Sequence, residues 1–118
     1  MHKVLLVLDS EDLATILHND LSKYFDIIIC DAATATDTIN LYQPDALILD
    51  LFLPGTDGFQ VLQHTHYSIP SIILVTVLVS TDILNRAANL NINYIFLKPF
   101  KQAALTKRLH ELLHIDIN

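Results

Sequence analysis

The chain has 118 residues, 52 % of them hydrophobic and 17 % charged, which is enough for one sizeable core and excludes disorder. Seven Lys and Arg against thirteen Asp and Glu give a formal net charge of -6, which argues against a direct grip on a nucleic-acid backbone. The lone Cys30 excludes an internal disulfide, and no apolar run approaches the ~20 residues of a membrane span or ends in a signal-peptide cleavage site. A single cytoplasmic domain over residues 1–118 is expected, with any output domain outside this chain.

Short apolar runs alternate with stretches of helical spacing. Residues 4–8 form the first strand, and Leu13, Ile16, Leu17, Leu21 and Tyr24 form one face of the helix that follows, with Asp20 an unexplained interruption. Residues 26–30 make the second strand; Ile39 and Tyr42 mark a shorter helix that Pro44 ends. The third strand covers residues 46–49, and Phe59, Val61 and Leu62 belong to a helix begun after Gly58. Residues 72–77 form the fourth strand, before a helix with Ile83, Ala87 and Leu90 on one face and Ser80 or Thr81 as N-cap. Residues 94–97 are the fifth strand, and Leu105, Leu109 and Leu112 form the stripe of the last helix.

Strands that are apolar without alternation are buried on both faces of a parallel sheet. The order therefore predicts an α/β fold: a doubly wound (βα)5 sandwich with a five-stranded parallel sheet and helices on both faces. In such sheets the functional crevice lies beyond the carboxyl ends of the strands. The residues there are Asp9, Asp50, Thr76-Val77 and Lys98-Pro99. Converging carboxylates repel unless a cation offsets them, and an oxygen-rich site suits Mg²⁺ with a phosphate as co-ligand. A hydroxyl and an ammonium could then receive phosphoryl oxygens. Helix capping or strand ending explains either aspartate alone, but explains the four positions together less well.

Here the residues carry a family resemblance. The segment from Asp45 through Asp50 and Pro54 to Asp57-Gly58 resembles the phosphoacceptor segment of bacterial two-component response-regulator receiver domains, the CheY-like family. Leu97-Lys98-Pro99-Phe100 is similar to the family's Lys-Pro-Phe segment, and Thr76 stands where the family has Thr or Ser. The resemblance runs from Lys3 to about Leu113 and implies a signalling switch rather than a turnover enzyme. It implies that Asp50 is the nucleophile toward a phosphohistidine of a sensor histidine kinase or phosphotransfer protein. It further implies Mg²⁺ held by Asp9, Asp50 and the backbone carbonyl of Phe52, phosphoryl contacts from Lys98 and Thr76, and a cis Lys98-Pro99 bond. The fourth helix, fifth strand and fifth helix would be the surface that meets an effector or a second copy, with Leu78 and Val79 either exposed there or folded over the crevice.

Three residues depart from the pattern. Leu8 replaces the first of two adjacent acids and should weaken Mg²⁺ binding. Val77 replaces a small residue and would narrow donor access. Ile95 stands where the switch aromatic lies, while alternation sends Tyr94 and Phe96 to the opposite face. These support a rival reading, a degenerate receiver that binds partners without phosphorylation.

Other signals carry less. His110-Glu111-Leu112-Leu113-His114 spells a zinc-metalloprotease signature, but the leucine stripe sends both histidines toward solvent beside Lys107. A haloacid-dehalogenase-like phosphatase needs an acid where Phe52 stands, and a flavodoxin-like cofactor loop would be repelled by Asp9, Glu11 and Asp12. His64 and His66 read as solvent-facing, and Cys30 as a small core side chain.

Overall fold

The computed structural model describes residues 1–114. Its elements in chain order are β1 (Lys3–Val7), α1 (Glu11–Leu21), β2 (Asp26–Ile29), α2 (Ala35–Tyr42), β3 (Ala46–Asp50), β4 (Phe52–Leu53), β5 (Thr56–Asp57), α3 (Gly58–Gln63), β6 (Ser71–Thr76), α4 (Thr81–Asn89), β7 (Tyr94–Leu97) and α5 (Gln102–His114). Five strands pair in parallel in the order β2-β1-β3-β6-β7. The doubly wound α/β sheet expected from the alternation is the fold observed. Chain order reverses direction between β1 and β3, so the carboxyl ends of these two neighbours bound the switch-point crevice.

Every residue of β3 and β6 is buried, because helices cover both faces. Alternate side chains feed two separate cores. Leu5, Val7, Leu47, Leu49, Ile72 and Leu74 pack with Ile39, Phe59 and Ala87 on the face of α2, α3 and α4. Val4, Leu6, Ile48, Ile73 and Val75 pack with Leu17, Leu21, Leu105 and Leu109 on the face of α1 and α5. Each fully buried leucine contributes roughly 1.5–3 kcal/mol relative to exposure.

Helix ends follow local chemistry. The hydroxyls of Ser10 and Ser80 accept from the N–H groups of Leu13 and Ile83 and start α1 and α4. Gln43, at φ 52°, ends α2 in a left-handed conformation immediately before Pro44.

Several details differ from the periodic reading. The buried face of α1 is Ala14, Leu17 and Leu21; Ile16 is 48 % exposed, and Tyr24 lies beyond the helix end, also exposed. Asp20 sits on the seam between α1 and α5 and accepts a 3.1 Å hydrogen bond from the Thr106 hydroxyl, which accounts for a carboxylate inside the stripe. In α5, Leu113 rather than Leu112 joins Leu105 and Leu109 in the buried row; Leu112 is half-buried. Cys30 lies just past β2 and is half-buried against the α2-side core, and burial pushes its thiol pKa up. The β4–β5 hairpin, turned through Pro54 and a positive-φ Gly55, has no counterpart in the apolar periodicity.

Candidate functional site

Register brings the strand ends together before any side chain is considered. Val7 lies beside Leu49, Asp50 beside Val75 and Thr76 beside Leu97, so the residues that follow or end these strands line one edge of the sheet. Asp50 is only 2 % exposed. Its Oδ1 lies 2.6 Å from Lys98 Nζ, and its Oδ2 accepts the Asp9 backbone N–H at 2.9 Å. A buried carboxylate without such partners would be strongly disfavoured. Lys98 offsets the charge and the Asp9 amide fixes the second oxygen.

Two backbone devices hold this arrangement. The Lys98 N–H donates to the Thr76 carbonyl at 2.7 Å, tying the ends of β6 and β7, and Lys98-Pro99 is cis. Gly58 opens α3 directly against β3: a Cβ there would lie 2.7 Å from the Asp50 carbonyl oxygen and 3.1 Å from Leu49 side-chain carbons. Asp57 caps that helix by accepting the Gln60 N–H at 2.9 Å, and the Gly58 N–H donates to the Leu51 carbonyl at 2.7 Å. Sequence reasoning used Gly58 only as a helix start and missed this close approach.

Asp9, Asp50 and Lys98 are thus in direct contact, and Thr76 is joined to them through the Lys98 backbone. The Thr76 hydroxyl, however, is turned to the chain that follows: it donates to the Leu78 carbonyl at 2.9 Å and accepts the Leu78 N–H at 3.1 Å. Thr76 is 1 % exposed, so this exchange satisfies a buried hydroxyl. Phe52 follows on β4, with its side chain exposed.

Residues 4–110 match the response regulator receiver domain family. The chain belongs to that family. Solved structures agree on the fold. The BeF3-activated N-terminal receiver domain of RstA from Klebsiella pneumoniae is 27 % identical, with 97 % of this chain and 98 % of that chain covered and a TM-score of 0.77. The N-terminal domain of an uncharacterized protein from Wolinella succinogenes is 22 % identical, covering 99 % and 98 % with a TM-score of 0.87. The chemotaxis protein CheY4 from Vibrio cholerae is 22 % identical, covering 95 % and 98 % with a TM-score of 0.83.

Within this receiver domain, Leu8 is half-buried and packs against the α1–α5 core. It also lines a cleft of about 500 Å³ shared with Asp9, Glu11, Cys30 and Asp31. On the other flank a cleft of about 540 Å³ is bordered by Ser10, Leu13, Val77, Lys98 and Phe100. Val77, at 66 % exposure, stands at its mouth beside Lys98. Leu78 and Val79 are exposed too, so residues 77–79 form an outward apolar strip rather than a lid.

Ile95 is half-buried on the α2–α4 side, while Tyr94 and Phe96 lie on the other face, as alternation requires. The Arg108 guanidinium lies 4.2 Å from the Tyr94 ring centre, and Phe96 packs on Phe100 with centroids 5.4 Å apart.

Of the two α5 histidines in the zinc-protease signature, His110 is the one whose side chain is described, and it is not exposed. His110 is half-buried, its ring centroid 5.0 Å from those of Tyr24 and Phe25, which corrects the solvent-facing placement expected from the leucine stripe. Glu111 is 4.0 Å from Arg108, and the His114 side chain lies outside the described residues. His64 and His66 are exposed, with His64 Nδ1 2.8 Å from the Gln60 carbonyl. Among the described residues, no three His, Cys, Asp or Glu side chains gather to hold a metal on their own, and no helix is long and apolar enough to cross a membrane.

Proposed function

We propose that this receiver domain takes a phosphoryl group onto Asp50 from a phosphohistidine of a sensor kinase or phosphotransfer protein. An Asp50 carboxylate oxygen attacks phosphorus; the bond from phosphorus to the imidazole nitrogen breaks, and the nitrogen keeps the electron pair. A carboxylate is a weak nucleophile, so the chain's contribution is positioning and charge. The observation that carries this reading is the grip on Asp50: Lys98 Nζ at 2.6 Å on one oxygen and the Asp9 N–H at 2.9 Å on the other. Lys98 would neutralise the dianionic group, and Thr76, at the end of β6, would offer its hydroxyl once released from Leu78.

The donor set fits Mg²⁺, an ion that commonly uses one or two carboxylates and keeps several waters. The Asp9 and Asp50 carboxylates and the Phe52 backbone carbonyl would hold it, with affinity lowered by the apolar Leu8. When bound it supplies positive charge opposite the transferring oxygens. The phosphoryl group would then shift the population of the surface built by α4, β7 and α5, which meets an effector or a second copy. Such a domain is a switch rather than a turnover enzyme.

One observation favours a second reading, a receiver that binds a partner without phosphorylation: Leu8 packs into the core where the family carries an acid. Acetyl phosphate with Mg²⁺, followed by intact mass measurement, separates the two. Phosphorylation predicts a single phosphoryl adduct that Asp50→Asn lacks. A folded wild-type chain that gains no adduct supports the partner-binding module instead.

A further inference from the structure

We infer that the outer edge of β2 pairs with the same edge of a second copy, antiparallel and centred on Ile28, whether or not Asp50 is phosphorylated. β2 is an end strand of the sheet, with β1 on one side only. The Asp26 N–H donates to the His2 carbonyl at 2.9 Å and the Cys30 N–H to the Leu6 carbonyl at 3.1 Å. Alternate residues from Asp26 to Cys30 thus turn their main-chain groups toward β1, and those of Ile27 and Ile29 point over the open edge. The strand carries no lysine or proline to guard that edge, and Ile28 and Ile29 are 37 % and 45 % exposed. Leu41, at 87 % exposure, flanks it. Thr36 and Asn40 bond the Val61 carbonyl and the His66 N–H on the α3 side of α2, while the Tyr42 hydroxyl donates to the Asp26 carbonyl at 3.2 Å. Leu41 is left on the β2 flank of the helix.

The edge suits a second copy better than an unrelated strand. Its two outward-bonding residues stand symmetrically about Ile28, so a two-fold axis there sets Ile27 opposite Ile29 of the second copy, and the reverse. Each couple exchanges a pair of N–H···O=C bonds, and every outward main-chain group of β2 finds a partner. Ile28 meets its own counterpart in the close, non-hydrogen-bonded position, with about 4.5 Å between Cα atoms. The same register sets Asp26 against Cys30, which keeps the two Asp26 carboxylates at opposite ends. It also brings the exposed Lys23 end of each edge alongside the exposed Asp31 end of the other, so opposite charges meet. The axis is perpendicular to the sheet, so α2 of both copies, with Leu41, lies on one face and α1 on the other. Two five-stranded sheets then run on as one, and the α4–β7–α5 surface at the far edge stays free.

Analytical ultracentrifugation and cross-linking test the pairing on the whole chain. Wild type should dimerise, and Ile28→Lys, which sets two ammonium groups face to face at the axis, should weaken the dimer at least about tenfold. Leu84→Lys, at an exposed position of α4, should leave it intact. In a Cys30→Ser chain, Ile28→Cys should oxidise to a covalent dimer, because about 4.5 Å between Cα atoms suits a disulfide. Ile16→Cys, also exposed but on α1, should not. The cysteine variants decide the matter even where Ile28→Lys fails to fold. A chain that stays monomeric up to ~1 mM overturns the pairing. So does a dimer that Leu84→Lys breaks and Ile28→Lys spares, or cross-linking that Ile16→Cys matches. An edge that takes up an unrelated apolar strand peptide while the chain remains monomeric assigns it to another partner and equally overturns the second copy.

Discussion

Gly58→Ala should weaken both the fold and the site, although alanine is the better helix former. The new Cβ would lie 2.7 Å from the Asp50 carbonyl oxygen and 3.1 Å from Leu49 Cγ and Cδ2. The first neighbour is backbone at the end of the central strand, and the second is a fully buried core leucine. Neither yields cheaply. Helix propensity favours alanine by up to ~1 kcal/mol, and less at a first helical position. Overpacking a tight interior costs ~1–3 kcal/mol. The expected net loss is about 1–2 kcal/mol, read from the urea midpoint at unchanged slope. The displaced oxygen belongs to Asp50 itself, so adduct formation should slow more than stability alone dictates. A misplacement of ~1 Å at a reacting group can cost 10²-fold in rate. A Gly58→Ala protein as stable as wild type, with an unchanged phosphorylation rate, would refute the steric reasoning.

Lys98→Met removes the ammonium from a carboxylate that is 2 % exposed. Breaking a fully buried pair costs ~3–5 kcal/mol, and the 23 % exposure of the Lys98 side chain discounts that to about 2–4 kcal/mol. Denaturant unfolding checks it, and Asp50→Asn should recover part of the loss by removing the orphaned charge. Gln43→Gly relieves a left-handed residue at φ 52° and should stabilise the chain by ~0.5 kcal/mol; a destabilised variant would contradict the cap assignment. Burial raises the Cys30 thiol above its ordinary pKa, so less thiolate is present near pH ~8. Alkylation by iodoacetamide there should run slower than on a free cysteine, and an equal rate would count against the burial.

Strand positions were legible because both faces of the sheet are buried, and uninterrupted Val, Ile and Leu runs have few other uses. Asp50 and Lys98 stood out because they follow predicted strands at the carboxyl edge of the sheet, where the crevice of such a fold lies. What stayed hidden depends on distant partners or on backbone. Asp20 made sense only with Thr106, 86 residues away. Ile16 and Tyr24 looked like stripe positions because periodicity does not reveal where α1 stops; it ends at Leu21. The stripe of α5 alone points His110 to solvent, whereas Tyr24 and Phe25 reach it from the segment between α1 and β2. The Asp9 amide on Asp50 and the Leu78 peptide on Thr76 are main-chain contacts, invisible to residue type. The orientation of Leu78 and Val79 could not be read from an apolar pair in a loop, which is equally compatible with either direction.

Borohydride reduction of the phosphorylated chain, followed by peptide mass mapping, puts the chemistry on a single residue, because an aspartyl phosphate is reduced to homoserine. Conversion confined to position 50 is the expected result. Conversion at another carboxylate, or none in a protein that has gained the phosphoryl mass, would contradict the assignment of Asp50.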